Sequence, residues 1–457
     1  MIIRLNKARQ NLSSERWIFL LFFICLFLLK ITYLLVMGHG VSTSDTYSYF
    51  EFKLWGNLRL YTIPTIYIIL KETFLILFFQ IALSSLAWSY LTKSIISLFS
   101  LTGGKRLLSC AIVFSLASTT PVFVNDFFLM SESLSLSFTL LLVAFSLKYL
   151  MNPTARSMWL VVLFYSVWIY AKQAHVLVSV PSLLLLAALI IWQGKCINKR
   201  KQVLAICIML ALTILAIWQV RSSNQISNWN LFAVLAMRIA KEPIWIDYFF
   251  SNGLPKDFIQ LNSQGALDIG KSISDTRTAN WLDGDGLATY LDFLLTNPTY
   301  TLFSPFFIPL FSSSSFLWSD TFPAALFYSY KYFTFNVPNL PDNFSIWWFD
   351  TPREVIRNLA IFIILLLEGI FRHAIRATSL GLDDKTLIIR KKLLLFSVGL
   401  FVWAMLSGAI QWHIAPGDLT RIFLEQAVMF KISLIIFAFG VWLPGLQNTN
   451  MNQKGEN

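Results

Sequence analysis

Two short segments carry carboxylates where chemistry could occur. The first runs Ser42-Thr-Ser-Asp-Thr-Tyr-Ser-Tyr-Phe50 and holds Asp45; the second runs Asn125-Asp-Phe-Phe-Leu-Met-Ser-Glu-Ser133 and holds Asp126 and Glu132. A carboxylate held at a surface can take a proton from an incoming hydroxyl. Two together can divide the work, one as base and the other orienting a substrate or a divalent ion. The same positions also suit plain helix chemistry. Tyr49 and Phe52 follow Asp45 at helical spacing, so Asp45 fits the first turn of an interfacial helix beginning near Ser44. Ser131 fits a helix cap, which makes Glu132 a first-turn acid.

Cations near these segments are few. Arg59 follows the Asp45 segment, Lys71 lies a little further on, Lys172 and His175 share one turn, and Arg421 precedes another apolar run. Long basic side chains at a bilayer edge reach for headgroups, and Arg421 also has Glu425 one turn away as a partner. Gathered at one place, Arg59, Lys172 and Arg421 would form a cradle for a phosphate or pyrophosphate.

The elements that must position these groups are membrane helices. Hydrophobic residues make up 56% of the 457-residue chain and charged residues only 13%. Soluble domains average about 25% charged residues, which argues against a water-soluble globule, and the same figures exclude a disordered chain. A helix needs about 20 apolar residues to cross a bilayer. The hydropathy pattern gives about ten such segments, at 17–37, 73–92, 107–124, 133–151, 158–172, 176–193, 203–220, 355–371, 393–411 and 422–443. The fifth and sixth are separated only by Ala171–His175 and could form one bent helix. Charge argues for two. With the N-terminus in the cytoplasm, the Lys199–Lys201 and Arg390–Lys392 clusters both fall inside, whereas an odd count would put one of them outside.

The expected fold is therefore an all-α polytopic membrane protein with both termini cytoplasmic. It divides into an N-terminal transmembrane module over 1–220, an extracytoplasmic region over 221–354 between spans seven and eight, and a C-terminal transmembrane module over 355–457. The region between modules is too long for a simple connection, and its aromatic clusters suit an interfacial position.

The net charge of +12 follows from positive-inside topology, and no basic motif interleaved with aromatics points to nucleic acid. Cys25, Cys110, Cys196 and Cys207 have no C-x-x-C spacing and read as free thiols. Of the charges within spans, Lys30 is placed to snorkel outward and Glu368 to pair with Arg372, whereas Lys431 should face the bundle interior. The scattered His39, His175 and His413 make no zinc signature, and no Walker loop, nucleophile elbow or dinucleotide fingerprint is present.

Taken in order, five stretches resemble the C-type glycosyltransferase superfamily, membrane enzymes that take a sugar from a polyprenyl-phosphate carrier. S-D-T-Y-S-Y-F-E-F-K-L-W is similar to that family's acidic motif after the first span, and R-L-Y-T-I-P-T-I-Y-I-I-L to the stretch leading into its second. M-S-E-S-L-S-L-S-F-T-L-L-L and Y-A-K-Q-A-H-V-L resemble its middle segments, with Lys172 where many relatives carry Arg. G-D-L-T-R-I-F-L-E resembles the Arg-bearing start of a late span. The resemblance implies that Asp45 is the catalytic base, that Asp126 or Glu132 positions the acceptor or binds a divalent metal ion, and that Arg59, Lys172 and Arg421 hold the donor phosphate. It implies transfer to a lipid, glycan or protein acceptor, with inversion, on the extracytoplasmic face. A bacterial inner membrane is the preferred location. No cofactor beyond that optional metal is called for.

Two other readings fit the same composition. An O-antigen polymerase or ligase also combines many spans with a large outer loop, but depends on loop arginines. A lipid or solute transporter would need no transfer chemistry, although many transporters show an internal repeat that is not visible here. Asp45→Asn separates the first from the base mechanism. Loss of a general base should lower sugar transfer by about 10²–10⁴-fold, measured as glycan formation in membranes from complemented cells, whereas a polymerase should tolerate the change.

Overall fold

The computed structural model describes residues 2–37, 46–50, 59–98, 103–193, 197–222, 224–258, 276–305, 384–414 and 424–442, with residues 40, 42 and 367. Among these residues the secondary structure is helical, with no strand. Among the described residues, five helices are long and apolar enough to cross a bilayer: Arg16–Val36, Thr73–Leu98, Ser131–Met151, Lys199–Arg221 and Lys391–Ile414. Shorter apolar helices occupy Arg106–Ala117, Ala155–Ile169 and Ser179–Trp192. Many of their apolar side chains face outward, including Leu21, Leu35, Leu107, Leu184 and Ile191. Such a surface is stable against lipid rather than water. The chain is a multi-pass membrane protein. The proposed 355–371 span lies almost wholly outside the described residues.

In chain order, α1 (Ile2–Met37) packs on α4 (Thr73–Leu98), and α4 on α7 (Ser131–Met151). Between α1 and α4 lie the short α2 (Tyr47–Phe50) and α3 (Thr62–Leu70). Then come α5 (Gly103–Ala117), α6 (Thr120–Asn125), α8 (Ala155–Ile169), α9 (Gln173–Leu177), α10 (Ser179–Trp192) and α11 (Lys199–Ser222). Helices α12 (Asn224–Met237), α13 (Pro243–Ser251), α14 (Thr276–Trp281) and α15 (Leu287–Thr296) belong to the region after α11. The last described helices are α16 (Asp384–Ile414) and α17 (Leu424–Trp442), which pack on each other.

Helix α7 is the centre of the bundle. It is 89% buried over its span window, against 22% for α1 and 28% for α11. Its first turns read Ser-Glu-Ser-Leu-Ser-Leu-Ser-Phe-Thr, and small residues of this kind let neighbouring backbones approach closely in a membrane. The structure also separates the fifth and sixth proposed spans. Tyr149, near the end of α7, bonds to the carbonyl of Ile190 near the end of α10, whereas Ser135, near the start of α7, meets His175 just before α10. Helix α10 therefore runs parallel to α7. Helix α8, which returns along α7 after a short turn, runs against both.

Backbone geometry is tightly constrained at two loop positions. Gly40 lies so close to its neighbours that a Cβ there would come within 2.5 Å of Leu77 and 3.2 Å of the Phe127 carbonyl. The chain leaving α1 thus lies directly on the loop before α7. At the α3–α4 junction, the Glu72 amide donates to the Leu70 carbonyl at 2.6 Å, with Lys71 between them at φ 57° and ψ −51°. This three-residue turn is a strained conformation for an L side chain. Lys71→Gly should raise stability by about 1 kcal/mol net, once the extra freedom of glycine in the unfolded chain is subtracted. Thermal unfolding in detergent should place Lys71→Gly above both wild type and Lys71→Ala; equal stability of the Gly and Ala variants would remove the strain argument.

Candidate functional site at the rim of helix α7

The loop before α7 is gripped from several sides. Thr46 donates its hydroxyl to the Leu129 carbonyl at 3.0 Å, Gln80 donates to the Phe128 carbonyl at 3.1 Å, and Tyr67 donates to the Met130 carbonyl at 3.2 Å. The residue next to Asp45 is therefore fixed on the chain that links Asp126 to Glu132. Asp45 and Arg421 themselves lie outside the described residues.

Glu132 sits in the first turn of α7, where the helix N-terminus favours an anion. Lys172 Nζ stands 3.7 Å from Glu132 Oε1, with side-chain exposures of 13% and 8%. Ser131 donates to Glu132 Oε2 at 3.4 Å, and the Tyr49 hydroxyl donates to Ser131 at 3.0 Å. Arg59 completes the path. Its guanidinium lies 4.8 Å from the Tyr49 ring centroid, and its Nε donates to Ser48 at 2.8 Å. Burial, aided by nearby Tyr49 and the Glu132 charge, raises the Tyr67 hydroxyl well above the usual phenol range. It is thus a neutral donor at any physiological pH.

Two contacts bring the Arg59 and Lys172 segments together. The Thr62 amide donates to the Tyr170 carbonyl and the Thr62 hydroxyl to the Val167 carbonyl, each at 3.2 Å. Arg59, Glu132 and Lys172, three of the four described residues singled out from sequence, thus share one continuous contact path.

Asp126 is placed differently. It is 2% exposed, its Oδ2 lies 2.5 Å from Lys30 Nζ, and its Oδ1 accepts from Ser133 at 2.5 Å. Lys30 also donates to Ser84 at 3.0 Å and is fully buried. Lys30 therefore does not snorkel outward. An unpaired ammonium inside a bundle would cost several kcal/mol, and the carboxylate removes that penalty. Both oxygens of Asp126 are engaged by α1 and α7 partners. Among the described residues no three His, Cys, Asp or Glu side chains converge as metal ligands.

A second buried cluster lies about one to two helical turns below Glu132, judged by helical rise. Glu425 accepts from Ser135 at 2.7 Å and from Thr139 at 2.6 Å, and its Oε2 lies 2.8 Å from His175 Nε2. His175 Nδ1 lies 2.6 Å from the Trp168 carbonyl. A carbonyl can only accept, so Nδ1 carries a proton. The imidazole also stacks on Trp168, with centroids 4.4 Å apart. Glu425, which the sequence pairs with Arg421, is thus bound to His175 on α9. This joins α17 to α7 and fixes the turn that presents Lys172. Lys431 is 2% exposed, in the interior as its depth requires.

The region after α11 packs over the same end of the bundle. Arg238 lies 4.4 Å from the Trp412 ring centroid and donates to the Trp412 carbonyl. Tyr290 donates to the His413 carbonyl at 2.8 Å. Burial pushes the hydroxyl of Tyr300, packed against Trp412, up to about 12.

With carboxylate, ammonium, guanidinium and phenol groups along one rim, the arrangement can bind an anion and orient a hydroxyl beside it. The chain matches no protein-family model, no curated protein and no solved structure.

The Lys30–Asp126 assignment has a direct check. Lys30→Met leaves a buried carboxylate unpaired and should destabilise the protein by about 3–5 kcal/mol. Adding Asp126→Asn should recover most of that loss, because no net charge then remains buried. Unfolding midpoints of the solubilised variants measure both, and a double variant no more stable than Lys30→Met would contradict the pairing.

Proposed function

We propose that the protein is an integral-membrane glycosyltransferase. It moves a sugar from a polyprenyl-phosphate carrier to a lipid, glycan or protein acceptor at the extracytoplasmic face of a bacterial inner membrane, with about ten spans and cytoplasmic termini. One observation carries the reading. Glu132 stands 3.7 Å from Lys172 on a rim that also holds Arg59, beside the residue that follows Asp45. This supports an orienting carboxylate and anion-binding cations where a lipid-borne phosphate would arrive, with Asp45 assigned as base from the motif. The motif order described above supports the same reading.

In this mechanism Asp45 takes the proton of the acceptor hydroxyl, and the oxygen attacks the anomeric carbon from the face opposite the phosphate. The C–O bond to the carrier breaks as the new one forms, so configuration inverts. The phosphate leaves with the bonding pair. Lys172, Arg59 and Arg421 stabilise the charge that develops on it, so no general acid is required. Glu132 orients the acceptor and holds Lys172 in place between turnovers. Lys172 offers a point charge rather than a planar fork, which suits a single phosphate oxygen.

Membranes supplied with radiolabelled polyprenyl-phosphate sugar test this. Lys172→Met should lower transfer by about 10²–10³-fold, the usual loss for one charge-stabilising donor, while Lys172→Arg retains most of it. Glu132→Gln should also reduce the rate, with protein abundance unchanged. If all three variants transfer sugar like wild type, or if vesicles take up substrate and form no glycoside, the glycosyltransferase reading is wrong.

A further inference from the structure

A cavity of about 210 Å³ lies inside the bundle, away from the Glu132 rim. Its walls come from α7, α8, α10 and α16, with Trp168 and Trp403 at one end and Leu150, Trp192 and Leu395 at the other. It extends along α7 from Thr139 to Leu150, roughly 16 Å at helical rise. Apart from Thr139, Ser146 and Ser182, its lining is apolar, and Ser146 Oγ is buried without a hydrogen-bond partner.

Two features say what belongs there. The cavity opens sideways to the lipid-facing surface, since Leu185, Trp192 and Leu395 line it and are 40%, 46% and 57% exposed. Its far end is marked by a positive charge. Lys392 Nζ accompanies Gln193 Oε1 at 2.9 Å and lies 5.9 Å from the centroid of the Trp192 ring. Gln193 in turn donates to the Leu150 carbonyl at 2.9 Å, which holds the ammonium at the mouth. Lys391, Lys199, Arg200 and Lys201 are also exposed, on the ends of α16 and α11.

We propose that this cavity is a binding site for one anionic phospholipid of the leaflet opposite the Glu132 rim. An acyl chain enters between α10 and α16 and fills the cavity, and the headgroup phosphate rests on Lys392. The site belongs to a different leaflet from the sugar-transfer rim. The occupant is a bilayer lipid rather than the carrier, because the cation that would hold its phosphate lies at the opposite end of α7 from Glu132. The lipid completes the packing of α16 against α7 and α10, so it acts on stability without touching the reacting groups.

Native mass spectrometry of the detergent-solubilised full chain tests the site, with phosphatidylglycerol or phosphatidylcholine added back after delipidation. Wild type should retain one phosphatidylglycerol in preference to phosphatidylcholine. Gly399→Leu introduces a side chain toward Leu185, whose Cδ2 lies 3.6 Å from a Cβ built at Gly399. It should lose the bound lipid. Lys392→Gln lies at the bundle end and is not expected to affect folding; it should bind the two lipids equally. Equal retention of both lipids by wild type, or wild-type lipid binding by both variants, overturns the proposal. So does occupation by added polyprenyl phosphate where phosphatidylglycerol fails to bind.

Discussion

On a helix buried on every side in a bilayer, each polar side chain left without a partner is costly, because lipid offers none. Helix α7 accepts this constraint repeatedly. Ser133 meets Asp126, Ser135 and Thr139 meet Glu425, and Ser131 meets Tyr49. Each partner comes from a different part of the chain: the preceding loop, the last described helix and the segment after α1. The polar groups of one helix thus gather the others around it. The rim with Glu132, Arg59 and Lys172 is the upper end of that gathering, where the partners remain within reach of the membrane surface.

This arrangement separates support from chemistry. The Lys30–Asp126 pair closes the contact between α1, α4 and the loop before α7, and the His175–Glu425 pair closes the contact between α9, α17 and α7. Both pairs lie below or beside the rim and are buried. Glu132 and Lys172, at 3.7 Å, form a looser pair that a stronger ligand for the ammonium can open. In the proposed mechanism the donor phosphate is that ligand. The rigid pairs hold the backbone still, and the looser one is placed to exchange partners.

What the sequence made legible follows from what hydropathy measures. Apolar runs locate helices: among the described residues eight apolar helices overlap proposed segments, five of them long enough to span, with α7 beginning two residues before its expected start and the third segment broken between α5 and α6. The carboxylate of Glu132 and the cations Arg59 and Lys172 were readable because they stand next to span ends. Lys30 and Asp126 were not readable as a pair. They are separated by 96 residues, and a lysine near a span end looks the same whether it reaches outward or inward. His175 and Glu425 are 250 residues apart, and Glu425 has a nearer basic neighbour in the chain. The cavity beside α10 was invisible for a related reason: periodicity says which face of a helix is apolar, not whether its neighbours fill the space.

The Lys30–Asp126 pair has a consequence for how the protein experiences its surroundings. A lone charge crossing a membrane potential of 100 mV exchanges about 2.3 kcal/mol with the field, which is how voltage sensors obtain their force. Lys30 is matched by Asp126 at 2.5 Å, so that pair is a short dipole with no net charge for the field to move, and de-energising the membrane would leave that joint as it is.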